Sequence, residues 1–260
     1  MSFQTIEFRS GNGISVITLN RPEKLNAINP QMREELWEAV QKVERDSNIS
    51  VLIFAAKGRA FSAGGDLSFF ESEWENTSRF RSEVSFFTRT FDLLETMEKP
   101  VIASIQGICT GAGLQLTLSC DLRIASQSAE FAFLENNIGL IPGAGGCSRL
   151  VKLVGYGKAE ELVLLGEKIQ AQKAYEMGLV NRVVPDDKLE EETLGIAEKL
   201  LQKAPQSIGL AKRILRSCIN SDFQTGRFLE FLGQSILIKT SDHKEGVRAF
   251  KEKRKPKFEK

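Results

Sequence analysis

Hydrophobic and polar positions along the 260-residue chain fall into short strand-like runs that alternate with helical stripes. Ile14 to Leu19 predicts a strand that ends in an Asn20-Arg21-Pro22 turn. Asn29-Pro30 then opens a helix, with Asn as cap and Pro at the first helical position. Met32, Leu36, Val40 and Val43 fall on one face of that helix. Val51 to Ala55 is a β-branched run that predicts a buried strand, and Pro100 to Gln106 predicts another. Residues 114–119 alternate locally like a strand. The wider succession of strand, turn and helix places a helix from Gly111 there instead. Leu122 to Ala125, Glu130 to Leu134 and Val180 to Val184 complete the predicted strands, with a helix over Ser148 to Val154. From Leu189 onward the pattern is helical only. Strands alternating with helices, then helices alone, predict an α/β core with a helical C-terminal extension. Phe69 to Phe91 is charged, aromatic and only weakly periodic, which predicts a mobile segment or a helix over a pocket mouth.

Glycine clusters punctuate this pattern. Ser62-Ala63-Gly64-Gly65-Asp66-Leu67 and Gly107 to Gly113 each follow a strand-like run and precede a helix-like one. Glycine there lets the backbone turn tightly and approach a ligand. The helix start adds N–H groups that have no intrahelical partner, together with a partial positive charge. Two such turns facing one another make a two-donor pocket for a developing oxyanion. A third cluster, Ile141-Pro142-Gly143-Ala144-Gly145-Gly146, precedes the 148–154 helix.

Composition narrows the function classes. A net charge of +1 offers no global field for nucleic acid or a membrane surface. No apolar run approaches the roughly 20 residues that span a bilayer. The first residues lack the basic and apolar regions of a secretory signal. Cys109, Cys120, Cys147 and Cys218 show no Cys-x-x-Cys spacing and read as buried thiols, which suits a cytoplasmic enzyme. His243 is the only histidine, so no histidine cluster for a metal and no Ser-His triad is expected. It sits in the polar stretch Ser241-Asp242-His243-Lys244 and reads as exposed.

Leu19-Asn20-Arg21-Pro22 with Leu25-Asn26-Ala27, the two glycine turns, Cys120-Asp121, and Ile141 to Gly146 together resemble the crotonase (enoyl-CoA hydratase/isomerase) family. The closing Glu245-Gly246, Ala249-Phe250 and Glu252-Lys253-Arg254 fit the same pattern, so the match is collinear over nearly the whole chain. The resemblance implies a spiral of ββα turns over residues 1–200 carrying a coenzyme A thioester site. It also implies a helical C-terminal region over residues 201–260 that assembles trimers, often paired into hexamers. The substrate implied is an acyl-CoA, with no separate cofactor. The thioester carbonyl would be bound by the N–H groups of Gly65 and Ala112. Lys24, Ala63, Asp66, Leu67, Phe250 and Lys253 map to positions along the coenzyme A path, the last two often serving a neighbouring subunit. Asp66 also reads as a helix cap. Phe69, Phe70 and Trp74 are candidates for the acyl pocket, or for the core face of an amphipathic helix.

The family's hydratases carry two glutamates, and the matching positions here are Gln115 and Glu135. Glu135 is the expected acid/base. Gln115 holds water or substrate by hydrogen bonding and cannot take a proton near neutral pH. A single glutamate at the second position resembles the family's Δ3,Δ2-enoyl-CoA isomerases, and on that residue the sequence leans slightly to double-bond isomerisation. Hydration of a 2-enoyl-CoA stays open, supported by the hydratase-like Pro142 to Gly146 loop. Decarboxylation, thioester hydrolysis and a catalytically lapsed coenzyme A-binding protein are the remaining readings.

Overall fold

A computed structural model describes residues 3–72 and 76–259. Its strands are β1 (Ile6–Gly11), β2 (Ile14–Leu19), β3 (Val51–Ala56), β4 (Ala60–Ser62), β5 (Val101–Ile105), β6 (Ile108–Thr110), β7 (Leu122–Ser126), β8 (Glu130–Ala132), β9 (Ile169–Gln170) and β10 (Arg182–Val184). One sheet has the order β1-β2-β3-β5-β7-β10 and the other β4-β6-β8-β9. In the larger sheet only the β1–β2 hairpin is antiparallel. The chain therefore steps from the large sheet to the small one three times, through β3–β4, β5–β6 and β7–β8. The first two steps run directly into helices at the two glycine turns, α2 and α4 below.

The helices are α1 (Pro30–Arg45), α2 (Leu67–Ser72), α3 (Thr77–Thr96), α4 (Gly111–Leu118), α5 (Gly146–Val154), α6 (Tyr156–Leu165), α7 (Ala171–Glu176), α8 (Leu189–Leu201), α9 (Pro205–Cys218), α10 (Phe223–Leu237) and α11 (Ser241–Lys251). The start of α1 follows the sequence signal, with the Met32 N–H donating to Asn29 Oδ1 at 2.9 Å. Its predicted face, Met32, Leu36, Val40 and Val43, is wholly buried.

The central strands are apolar on both faces because both are covered. Leu52, Phe54, Val101, Ala103 and Ile105 join α1 in the main core. Val51, Ile53, Ile102 and Ile124 face the other way, against Leu189, Ile196 and Ala197 of α8. The helix α4 explains its own misleading local pattern. Gly111 and residues 113–118 of it are buried on all sides, so no polar stripe marks its period.

Two expectations are refined and a third holds. The segment 69–91 is helical at α2 and α3 on either side of residues 73–75. Cys109 and Cys120 are buried, but Cys147 and Cys218 are partly exposed, because each lies near a helix end at the surface. His243 is exposed, as read from its polar neighbours. Among the described residues no helix is long and apolar enough to cross a membrane.

Candidate active site

The two glycine turns meet. Gly64 lies at φ +103°, and a methyl group there would stand 3.2 Å from the Thr110 carbonyl oxygen and 3.4 Å from the Ala112 nitrogen. The approach is closest at Gly113, where a methyl group would fall 2.4 Å from Ser62 Cβ. Only a bare backbone lets β4 and the first turn of α4 pack this closely.

Hydrogen bonds from the 20–28 segment lock the first turn. The Ile28 N–H donates to the Gly64 carbonyl at 2.8 Å, and the Asp66 N–H donates to the Ile28 carbonyl at 3.0 Å. The Ala63 N–H donates to the Leu25 carbonyl at 2.9 Å, and the Gly64 N–H to Ser62 Oγ at 3.2 Å. Ser62 Oγ in turn donates to the Asn26 carbonyl at 2.8 Å. Among the described residues no protein group takes the Gly65 N–H. The same holds for the Ala112 N–H, which lies in the first turn of α4, where Thr110 makes no side-chain cap. The structure thus leaves these two donors unpaired on two turns in van der Waals contact. The Ala112 methyl is accommodated because its backbone is helical.

The side-chain pair lies beside them. Glu135 opens a 3-10 turn, Glu135–Ile138, that follows β8. A methyl on Gly111 would stand 3.5 Å from Glu135 Oε1, which sets the carboxylate against the start of α4. Gln115 is 3 % exposed and uses both ends of its amide. Its Oε1 accepts the Ala144 N–H at 2.8 Å, and its Nε2 donates to Glu135 Oε1 at 2.8 Å. Glu135 Oε2 is buried and has no hydrogen-bond partner. Burial pushes the Glu135 carboxyl above the usual range, while its own and the Leu134 backbone N–H groups and the Gln115 amide pull it back. Burial likewise raises the Cys147 thiol, with the Glu135 charge adding to it.

The remaining candidates separate. Asp66 caps α2, accepting the Ser68 N–H at 3.3 Å, and pairs with Arg21 at 3.1 Å. Burial raises its carboxyl, but the Ser68 and Arg21 contacts outweigh this and hold it below the ordinary range. Leu67 is 57 % exposed, and Lys24 is exposed at the end of the 3-10 turn Pro22–Lys24. Phe69 is buried, with the Arg33 guanidinium 3.9 Å above its ring. Trp74 and the side chain of Phe70 lie outside the described residues. Phe250, 86 % exposed, lines a cavity of about 400 Å³ with residues of α9, α10 and Phe258. Among the described residues no backbone hydrogen bond joins Phe250 or Lys253 to the glycine turns.

Sequence reasoning missed Asn26 as a structural part of the site. Its side chain accepts the Arg21 N–H and donates to the Lys57 and Ala60 carbonyls, each at 2.8 Å. Nothing in local periodicity signals this. Its one trace was the Leu25-Asn26-Ala27 motif.

A family model described as enoyl-CoA hydratase/isomerase matches residues 9–260. The chain belongs to the enoyl-CoA hydratase/isomerase family. Its fold is that of the crotonase superfamily, an α/β core with a helical C-terminal region. A short-chain-enoyl-CoA hydratase of Clostridium acetobutylicum is 35% identical over 256 residues, covering 98% of this chain and 97% of that protein. A crotonyl-CoA hydratase of Syntrophomonas wolfei is 34% identical and covers 99% of both. The crystal structure of an enoyl-CoA hydratase from Bacillus anthracis superposes with a TM-score of 0.93 at 38% identity, covering 98% of this chain and 99% of that one. Family membership makes this chain an enzyme of the hydratase/isomerase type.

Proposed function

We propose that the enzyme adds water across the double bond of a 2-enoyl-CoA, with Glu135 as the single acid/base. The observation that carries this reading is Glu135 Oε2, buried and unpartnered beside two unpaired backbone donors. The water oxygen bonds to C3 of the substrate and gives its proton to Glu135 Oε2. The displaced electron pair moves into the thioester, and the enolate oxygen is stabilised by the Gly65 and Ala112 N–H groups. Glu135 then delivers its proton to C2, which restores the carboxylate. Gln115 holds Oε1 in place and leaves Oε2 to do the proton transfer. One positioned acid/base group contributes about 10²–10⁴-fold, enough for turnover without a second carboxylate.

The sequence leaned to isomerisation because Gln115 cannot act as a base. Relatives that carry hydratase names over nearly their full length weigh the other way. Isomerisation stays as the second reading on that one residue, since moving a proton from C2 to C4 also needs only one carboxylate. Incubation with 2-enoyl-CoA and 3-enoyl-CoA in H₂¹⁸O, followed by mass spectrometry, separates the two. The expected product from the 2-enoyl substrate is an ¹⁸O-labelled 3-hydroxyacyl-CoA. Conversion of 3-enoyl to 2-enoyl-CoA without label would overturn hydration.

The same reading takes Lys24, Ala63, Asp66 and Leu67 along the coenzyme A path. It assigns residues 201–260 to assembly as a trimer or hexamer, with Phe250 and Lys253 reaching a neighbouring subunit's coenzyme A. Exposed apolar side chains on α9 to α11, among them Leu215, Phe223, Phe231, Ile236 and Phe250, support assembly. Four free cysteines agree with a reducing, cytoplasmic setting.

A further inference from the structure

The loop that fixes Gln115 is gripped in turn by a side chain that the mechanism above does not use. Arg149 of α5 donates from Nη1 to the Ala144 carbonyl at 2.9 Å. The N–H of that same Ala144 is the donor to Gln115 Oε1. The other guanidinium nitrogens are taken by α3, with Nε to Glu95 Oε1 at 2.9 Å and Nη2 to Asp92 Oδ1 at 2.7 Å and Glu95 Oε2 at 3.2 Å. Glu95 also accepts Arg216 of α9. The Arg149 side chain is 13% exposed, and a methyl on Gly145 would stand 2.0 Å from its Nη1. The guanidinium therefore sits directly on the backbone of the third glycine cluster. Its planar fork binds a carboxylate through two parallel bonds, which fixes orientation as well as position.

The consequence reaches Glu135 through the two-ended chemistry of an amide. The Ala144 N–H occupies the acceptor end of Gln115, so the donor end is the one turned to Glu135 Oε1. The carbonyl and the N–H of Ala144 lie in adjoining peptide groups on one Cα, so releasing the carbonyl loosens the N–H and the Gln115 amide it holds. Glu135 then loses a donor that favours its charged form. We infer that Arg149 is a positioning residue for proton transfer, acting through Ala144 and Gln115 to keep Glu135 oriented with Oε2 free. This rests on the reading of Glu135 as acid/base. The titratable side chain set against Glu135 from α5 is Cys147. Among the described residues the one side chain hydrogen-bonded to the Glu135 carboxylate is the neutral Gln115 amide. The charges facing Arg149 are Asp92 and Glu95 of α3, with Arg216 of α9 behind them.

The test is a kinetic double-mutant cycle on the full chain with 2-enoyl-CoA. Arg149→Met is expected to lower kcat by about 10- to 100-fold while KM moves less than about threefold, and to shift the acid limb of the kcat profile to higher pH. Arg149→Lys, which keeps a donor for the Ala144 carbonyl, is expected to recover part of both effects. In a Gln115→Ala background the same Arg149→Met change is expected to cost less than about twofold, since the group it positions is gone. An equal loss in both backgrounds with an unmoved acid limb would overturn the inference. Should Arg149→Met fail to fold, Glu95→Gln takes its place: a smaller shift in the same direction supports the inference, and an unmoved limb overturns it. Failure of the acid/base reading itself shows separately, as near-normal turnover in Glu135→Gln.

Discussion

Gly65 and Ala112 bring only backbone N–H groups to the site, and they are set by packing that admits no further atom. Gln115 and Glu135 bring side chains, and they are set by a line of hydrogen bonds through Ala144. The first half is rigid because β4 and α4 touch through Ser62 and Gly113. The second is oriented but adjustable, since a change at any hydrogen-bonding partner re-aims it. On the proposed reading, a backbone half of this kind polarises any thioester carbonyl, and the side chains set beside it choose the reaction. Within a family that shares one site, that is where chemistry diversifies.

Substitutions in each half should therefore fail differently. Glu135→Gln removes proton transfer and leaves the donors intact, so kcat is expected to fall by about 10²–10⁴-fold with KM little changed in steady-state assays. Gly113→Ala drives a methyl into Ser62 and separates the turns. It is expected to cost about 1–3 kcal/mol in denaturant unfolding and about 10²–10³-fold in kcat, through the lost donor geometry.

Gln115→Ala acts on orientation and charge together. Glu135 loses a donor that favours its ionised form, so its carboxyl rises further. Activity requires the carboxylate and falls as pH drops through that value, so the acid limb, already above an ordinary glutamate's, is expected to move to still higher pH. The buried Ala144 N–H also loses its partner, at a cost of about 1–3 kcal/mol. Asn29→Ala, which uncaps α1 one residue beyond the Ile28–Gly65 bridge, tests how far the backbone half feels its surroundings. About 1 kcal/mol of stability is expected to go, with kcat changed less than about twofold.

The two halves also differed in how far the sequence revealed them. Glycine clusters at strand ends announce a close backbone approach, and the resemblance to the crotonase family, not the clusters, pointed to Gly65 and Ala112 within them. Glu135 was legible from its place in the motif. The partners of Gln115 were not, because Ala144 lies 29 residues away and carries no polar side chain. Arg149 and Asn26 were hidden for the same reason, since hydrogen bonds to distant backbone leave no local pattern. In the fold, β2, β3, β5 and β7 stood out as apolar runs. The three-residue strands β8 and β10 registered because each lies inside a longer strand-like run, whereas β4, β6 and β9 abut a glycine turn or a helix start and were missed. The edge strand β1, half polar and exposed over its last three residues, was missed as well.

The separability of polarisation from proton transfer is measured most directly by ¹³C NMR of an acyl-CoA labelled at the thioester carbonyl and bound to each variant. The wild-type protein is expected to displace the carbonyl resonance downfield, Glu135→Gln to keep that displacement, and Gly113→Ala to lose most of it. Loss of the displacement in Glu135→Gln with retention in Gly113→Ala would contradict the account.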